Sequence, residues 1–285
     1  MIINLIKLIK FVWTHPSNRN FKISAILRVL RWQIASRLMP GLIALPYYNK
    51  TQLFGKKGMT SASNAWYCGL YEYEEMSFLF DYLDRNDLVV DIGANIGAYT
   101  ILAASKGSKV IAVEPIPSSF EILKKNISLN GFSDTVDVFN IAISDKDENL
   151  NFSNNLDALN HVLVNGEKYS DIINIPAVKL NQILKGRIPK FIKIDVEGFE
   201  SKVINGAENI FSHSDLKCLI IELIGGGENY GFDENALHQK ILNYGFSTYT
   251  YIPSTKKLVS LEKKKNNNKN TIYIKKDFFK NIINE

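Results

Sequence analysis

Two carboxylates follow an apolar segment in the second half of the chain. A carboxylate can accept a proton or hold a cation, so the pair could take part in catalysis. The segment FIKID predicts a short buried strand that ends at Asp195, and Glu197 comes two residues later. Open α/β sheets bind their ligands at this end of the strands. Lys193 lies inside the strand, and because a buried ammonium is costly without a partner, we expect it to pair with Glu222 or Glu114. These residues are candidates for catalysis, and a purely structural ion-pair network is the alternative.

A glycine-containing turn earlier in the chain predicts a ligand site. Residues 89–100 read VVDIGANIGAYT, which is the pattern of a buried strand, a tight turn and a helix. Gly93 and Gly97 allow a sharp turn against a ligand, while the first N–H groups of the helix point into the same crevice. A dinucleotide fingerprint would need glycines where this chain has Asn95 and Ala98, and no Gly-Lys-Ser/Thr phosphate loop is present.

Glu114 narrows the class of ligand. It closes the next predicted strand, which reads KVIAVE. A carboxylate at this position accepts hydrogen bonds from both hydroxyls of a free ribose and would repel a 2′-phosphate. The sequence therefore disfavours a strongly anionic cofactor and permits a cationic one.

Four motifs in this order resemble the FkbM-type family of class I S-adenosylmethionine (SAM)-dependent methyltransferases. They are VVDIGANIGAYT, VIAVEP, NIAISD and FIKIDVEGFE, and the resemblance covers about residues 70–225. It implies that SAM is the cofactor and that the residues binding it are Asp91, Gly93, Ala94, Asn95, Gly97, Glu114, Asn140, Ile141 and Ala142. Asn140, Ile141 and Ala142 lie at the end of a strand predicted over residues 136–143, and the resemblance implies that they contact adenine. The alternative is that they only form part of the strand's core.

The order of predicted elements is that of an α/β protein. A helix over residues 72–83 precedes the first strand and, by the resemblance, approaches the methionine end of SAM. Strands over residues 246–252 and 271–275 form a terminal antiparallel pair, with residues 263–270 as a solvated turn. We therefore expect a Rossmann-like class I methyltransferase fold, with a mostly parallel seven-stranded sheet, one reversed strand and a basic helical N-terminal extension.

Composition limits the other possibilities. A chain of 285 residues that is 46% hydrophobic can bury one full α/β core. Cys68 and Cys218 are the two cysteines, which suggests neither a disulfide framework nor a metal cluster and predicts a reducing compartment. Lys7 and Lys10 interrupt the first apolar run before it reaches the roughly 18 residues of a membrane span, and no signal-cleavage site follows. We expect a cytoplasmic protein.

Charge is distributed unevenly along the chain. The formal net charge is +5, yet residues 1–71 contain ten Lys or Arg and no acid, so the remainder is acidic. We divide the chain into a basic extension (1–70) and a methyltransferase domain (71–285). A helix over residues 21–39 places one apolar stripe between basic residues; the stripe is Ile23, Leu27, Leu30, Ile34 and Leu38. This helix either packs on the domain or meets an anionic membrane or polyanionic substrate, and a transit peptide is a third reading.

Two further segments are candidates for acceptor binding. Residues 55–75 combine glycines with aromatic rings that can pack on sugars or simply join the core. Residues 145–181 are too long for a bare loop, so we expect short strands or a substrate flap over the cofactor crevice. His161 in this segment is either a structural residue or a contact or base for the acceptor.

The chemistry favours an oxygen nucleophile. Methyltransferases that act on base amino groups carry an Asn/Asp-Pro-Pro-aromatic loop where this chain reads DVEG. An alcohol must lose a proton, and Asp195, Glu197 and His161 are the groups available, with Asp195 ranked first and a metal-free route favoured. We expect an O-methyltransferase for a saccharide or a lipid- or nucleotide-linked glycan. A nucleic-acid-binding protein or RNA methyltransferase that uses the basic segment is the alternative, although we expect no stable nucleic acid partner.

Overall fold

The computed structural model of the protein describes residues 2–154, 159–164, 167, 169–263 and 270–278. Its helices are α1 (Ile2–Thr14), α2 (Lys22–Leu38), α3 (Thr60–Cys68), α4 (Tyr73–Tyr82), α5 (Ala98–Ala104), α6 (Pro117–Leu129), α7 (Leu180–Leu184), α8 (Glu200–Asn205), α9 (Glu208–Ser212) and α10 (Glu234–Asn243). Its strands are β1 (Ile43–Pro46), β2 (Gln52–Gly55), β3 (Leu88–Ile92), β4 (Lys109–Val113), β5 (Val136–Phe139), β6 (Ala142–Ile143), β7 (Glu148–Ser153), β8 (Ile172–Val178), β9 (Phe191–Ile194), β10 (Cys218–Glu222), β11 (Phe246–Ile252), β12 (Lys257–Ser260) and β13 (Asn270–Lys275).

The main sheet has eight strands in the order β12-β11-β13-β10-β9-β3-β4-β5. Strands β5, β4, β3, β9 and β10 are parallel neighbours, and β13 runs antiparallel between β10 and β11. The predicted α/β fold and its mostly parallel sheet are confirmed. The sheet has eight strands rather than the predicted seven, and two of them, β12 and β13, run against the others instead of one. Strand β12 adds an edge that the sequence analysis did not predict, since it forms an antiparallel hairpin with β11.

Helices cover both faces of this sheet. Apolar side chains of α4, α5 and α6 pack on one face, and those of α7, α8, α9 and α10 pack on the other. The strands supply both cores because successive side chains point to opposite faces, so Val89 joins the first core and Val90 the second. This burial on both sides explains why the central strands read as continuous apolar runs.

The third predicted strand is shorter than expected. Strand β5 ends at Phe139, and the chain leaves the main sheet at Asn140 and Ile141. Strand β6 then joins a small second sheet in the order β6-β8-β7. The single strand predicted over residues 136–143 is therefore wrong, while the short strands expected within residues 145–181 are confirmed. Residues 155–158, 165–166 and 168 of that segment lie outside the described part of the chain.

The extension is built from α1, α2, the hairpin of β1 and β2, and α3. Helix α2 matches the helix predicted over residues 21–39. Its buried side chains are Ala25, Val29 and Trp32, which share a core with Val12 of α1 and Tyr67 of α3. The predicted stripe on the opposite side of α2 remains exposed. Across the described residues, no helix is both long enough and apolar enough to cross a bilayer.

The predicted terminal pair of strands is confirmed as β11 and β13. The solvated turn predicted between them extends too far, because Asn270 already belongs to β13 and is buried. Residues 264–269 of that turn lie outside the described residues.

Candidate active site

A cavity of about 280 Å³ lies at the carboxyl ends of the central parallel strands. Its walls come from the residues that follow β3, β4, β9 and β10, together with residues of the second sheet. Parallel strands end on one edge of a sheet, so side chains that are far apart in sequence meet there. The cavity thus occupies the position that the two sequence motifs predicted.

The turn after β3 brings two strand ends into contact. The N–H of Asp195 donates to the carbonyl of Ile92 at 3.0 Å. Gly93 has a φ of +77°, and a Cβ atom there would stand 1.8 Å from the carbonyl oxygen of Asp195. Glycine is therefore required by both the backbone angle and the space. Gly97 lies outside the cavity wall, and its added Cβ would meet the side chain of Leu123.

Glu114 is the acceptor expected for a ribose. Its carboxylate is buried in the cavity wall, where Oε2 accepts from the N–H of Asn95 at 2.7 Å and Oε1 accepts from the N–H of Ile116 at 2.9 Å. Burial raises the pKa of Glu114 to about 7, and the two N–H donors act in the opposite direction. Each oxygen retains a second lone pair for a hydroxyl donor.

The other predicted cofactor residues divide into two groups. Gly93, Ala94, Asn95, Glu114, Ile141 and Ala142 line the cavity, whereas Asp91, Gly97 and Asn140 do not. Asp91 is buried behind the turn, where it accepts from the hydroxyl of Thr100 at 2.7 Å. Asn140 donates to the carbonyls of Glu114 and Pro115 at 2.9 and 2.8 Å, so it holds the loop that carries Glu114.

Three carboxylates meet where β9 and β10 end. Oxygens of Asp195, Glu197 and Glu222 all lie within 4.8 Å of one another, a spacing at which each can offer one ligand to a metal ion. Burial, the charges of Asp195 and Glu197, and a hydrogen bond to Asp195 raise the pKa of Glu222. Burial and Asp195 also raise the pKa of Glu197 to about 7. Sequence analysis considered Glu222 only as a partner of Lys193, although its place at the end of the strand beside β9 makes it a member of the site.

Lys193 pairs with neither acid predicted for it. Its Nζ lies 2.8 Å from Oδ2 of Asp195, and also 5.0 Å from the ring centroid of Tyr99. Residues i and i+2 of a strand point to the same face, which explains why Asp195 is the partner. Burial acts to lower the pKa of Lys193, but the carboxylates of Asp195, Asp91 and Glu72 outweigh it and raise that pKa.

Two buried glutamates hold the loops that carry these acids. Glu200 Oε1 accepts from the N–H groups of Val196 and Gly198, both at 3.2 Å. Glu234 Oε1 accepts from Gly225 and Gly227 in the loop after β10 at 2.7 and 3.3 Å. Sequence analysis missed both roles, because a short turn closed by a side chain several residues away leaves no periodic pattern.

Glu72 is a further acid in the cavity wall that was missed. Its Oε2 accepts from the hydroxyl of Tyr99 at 2.5 Å and from Nδ2 of Asn270 at 2.6 Å. Burial raises the pKa of Glu72 to about 7, with Asp195 contributing, while Lys193 acts to lower it. Among the described residues that line the cavity, five are acidic and Lys193 is the single basic one, so the cavity suits a cationic ligand.

His161 does not line the cavity, although its neighbours Asn160 and Val162 do. Its Nδ1 lies 3.0 Å from the carbonyl of Leu159, and its Nε2 lies 3.4 Å from Oε2 of Glu167. The ring therefore has polar neighbours outside the cavity, as expected for a histidine with a structural role.

The aromatic residues of segment 55–75 have separate surroundings. Tyr71 lines the cavity, Tyr67 is buried in the core of the extension, and Trp66 and Tyr73 line a second groove of about 880 Å³. The structure therefore does not gather them into one sugar-stacking surface.

The three-layer fold, with a ligand cavity at the strand ends, is Rossmann-like. A family model described as "Methyltransferase FkbM domain" matches residues 91–248. This is more than half of the chain, which belongs to that family. The buried carboxylate of Glu114, the glycine turn and the acidic lining fit SAM, the cofactor that the family implies.

Several proteins of known sequence or structure are similar to this chain. The uncharacterized protein MJ1452 of Methanocaldococcus jannaschii is 30% identical over 145 residues, which cover 49% of this chain and 51% of that protein. The hexuronic acid methyltransferase AglP of Haloferax volcanii is 27% identical over 158 residues, which cover 54% and 63%. The chain thus spans between half and two thirds of the length of these relatives. A SAM-dependent methyltransferase structure from Agrobacterium tumefaciens gives a TM-score of 0.45 at 11% identity, covering 82% of this chain and 70% of that chain.

Proposed function

We propose that the protein transfers a methyl group from SAM to a hydroxyl group of a saccharide or of a lipid- or nucleotide-linked glycan. The observation that supports this best is the cluster of Asp195, Glu197 and Glu222 in the same cavity as the diol acceptor Glu114. A carboxylate beside the cofactor is what an alcohol nucleophile requires, because the alcohol must lose a proton when it attacks.

The cavity residues have distinct tasks toward SAM, which supplies an electrophilic methyl group on a sulfonium. Glu114 would accept hydrogen bonds from the ribose hydroxyls, and Ile141 and Ala142, which also line the cavity, would offer an apolar wall to adenine. When ionised, Glu72 would stabilise the cationic methionine end. Positioning and removal of water are the main contributions, because methyl transfer consumes charge rather than creating it.

Glu197 is the proposed base. Its pKa is raised to about 7, so it can take up a proton near neutral pH, whereas Asp195 is already in an ion pair with Lys193. We assign proton acceptance to Glu197 and positioning of the acceptor to Asp195. The Lys193 ammonium also lies 2.8 Å from Asp195, one of the three clustered carboxylates, and its positive charge opposes a divalent cation beside it, which favours the metal-free route.

The acceptor class rests on the family and on one relative. AglP is named for hexuronic acid methylation and is similar to this chain over 158 residues. A saccharide hydroxyl is the nucleophile consistent with that name and with the missing base-methylation loop.

The proposal is tested by incubating the protein with methyl-labelled SAM and three acceptor classes: hexuronic acids, neutral hexoses and lipid-linked oligosaccharides. Mass spectrometry is expected to locate the label on a sugar oxygen, and the activity is expected to survive chelation of divalent ions. Label on RNA, or on an amino group, would contradict the proposed acceptor class, and activity that requires added metal would overturn the metal-free assignment.

Substitution of Glu114 with alanine is expected to weaken SAM binding by about 1.5–3 kcal/mol, the scale of a hydrogen bond to a charged group. The ribose loses its acceptor, and the N–H groups of Asn95 and Ile116 lose theirs. Isothermal titration calorimetry measures the change. Glu121→Ala is the matched control, since Glu121 is exposed and pairs only with Lys124 among the contacts described. Equal affinity in the two variants would remove Glu114 from the cofactor site.

A further inference from the structure

The N-terminal helices present an apolar surface to solvent. The predicted stripe of α2 is exposed along its whole length: Ile23 72%, Leu27 45%, Leu30 49%, Ile34 60% and Leu38 74%. The opposite side of α2 packs on α1, β1 and α3 through Ala25, Val29 and Trp32. Helix α1 adds Ile6 and Trp13, which are 61% and 45% exposed. Exposed apolar groups in this number on one element mark a contact surface rather than ordinary surface variation.

The helices α1 and α2, which carry this surface, are fixed to α3. Asn18, between α1 and α2, is buried and donates to the carbonyls of Val12 and Tyr67 at 3.0 and 3.2 Å. Arg28 of α2 donates to Asn18 Oδ1 and to the Tyr67 carbonyl at 2.8 and 2.7 Å. The exposed stripe is thus held in one orientation relative to α1 and α3.

The charge of the two helices indicates whether this surface binds a second copy of the chain or a lipid bilayer. The first 71 residues contain ten Lys or Arg and no Asp or Glu. Lys7, Lys10, Arg31 and Arg37 are exposed on the same two helices. Two copies of this surface would bring the two sets of positive charge together, which disfavours a dimer. An anionic lipid surface complements both the apolar stripe and its basic neighbours.

We propose that α1 and α2 form a monotopic docking surface for an anionic phospholipid bilayer. The apolar side chains enter the boundary between headgroups and acyl chains, and the lysines and arginines bind lipid phosphates. This anchoring holds the domain at the membrane without a spanning helix and does not depend on the identity of the methyl acceptor.

The test compares sedimentation of the full chain with vesicles of phosphatidylcholine alone and vesicles that also contain phosphatidylglycerol. We expect stronger binding to the anionic vesicles. A variant with Ile23, Ile34 and Leu38 changed to serine is expected to lose this binding by at least tenfold, because burial of three large side chains is lost. A control variant with Ile172, Ile252 and Val259 changed to serine removes exposed apolar groups from other elements and should bind like the wild type.

A second variant, Lys10→Gln with Arg31→Gln, tests the charge and should weaken anionic-vesicle binding by on the order of tenfold. Circular dichroism establishes that each variant folds. Wild-type binding that the three serines do not reduce would overturn the proposal. So would a wild-type dimer that the three serines dissociate, or binding of an RNA oligonucleotide without binding of vesicles.

Discussion

Glu197→Gln is expected to lower turnover by about 10²-fold or more, the scale at which a general base contributes. Glutamine keeps the size of the side chain and cannot accept the hydroxyl proton. The pKa of Glu197 is about 7 because of burial and the charge of Asp195, with Lys193 and His161 acting to lower it. The measurement is kcat at saturating SAM, and the affinity for SAM is expected to be nearly unchanged.

The pH profile distinguishes a base from a structural residue. Glu197 accepts a proton only when it is ionised, so wild-type turnover should rise as the pH increases through about 7. Glu197→Gln should lose this step, while Asp195→Asn should be slower and keep a step that moves to lower pH, because the charge of Asp195 no longer raises the pKa of Glu197. Glu208→Gln is a control at an exposed carboxylate that pairs with Lys240. An active Glu197→Gln beside an inactive Asp195→Asn would assign the base to Asp195, as the sequence alone suggested.

Those parts of the site that depend on one continuous stretch of chain were predictable. The strand, turn and helix around Gly93 and the strand before Asp195 carry their own periodicity, so the position of the cavity followed from two motifs. Glu114 was predictable for the same reason, since it ends an apolar run at the same edge of the sheet. Parallel strand topology then brings these ends together.

The parts that depend on contacts between distant segments were not predictable. Glu72 reaches the cavity because α4 packs across the sheet and Asn270 of β13 holds its carboxylate. Asn270 itself looked like part of a polar turn, and only its register opposite Glu222 explains its burial. The partner of Lys193, by contrast, was predictable although the sequence analysis missed it. Side chains alternate along a strand, so Lys193 and Asp195 lie on the same face.

Gly93→Ala is expected to lower the free energy of unfolding by more than about 3 kcal/mol, a loss typical of substitutions that strain the backbone or overpack the core. The new Cβ would lie 1.8 Å from the carbonyl oxygen of Asp195, which belongs to backbone and cannot rotate away. Relief requires the ends of β3 and β9 to separate, which breaks the hydrogen bond from Asp195 N–H to the Ile92 carbonyl. Because the cavity lies between these ends, SAM binding should be lost together with stability.

Gly131→Ala separates the effect of space from the effect of backbone angle. Gly131 has a φ of +70°, close to the +77° of Gly93, but an added Cβ there would meet nothing within 4 Å. Its substitution should therefore cost only about 1 kcal/mol, the penalty for a left-handed residue with a side chain. Urea unfolding and calorimetric titration with SAM measure the two variants in parallel. If Gly93→Ala lost no more stability than Gly131→Ala and still bound SAM, the contact between the ends of β3 and β9 would not be what shapes the cavity.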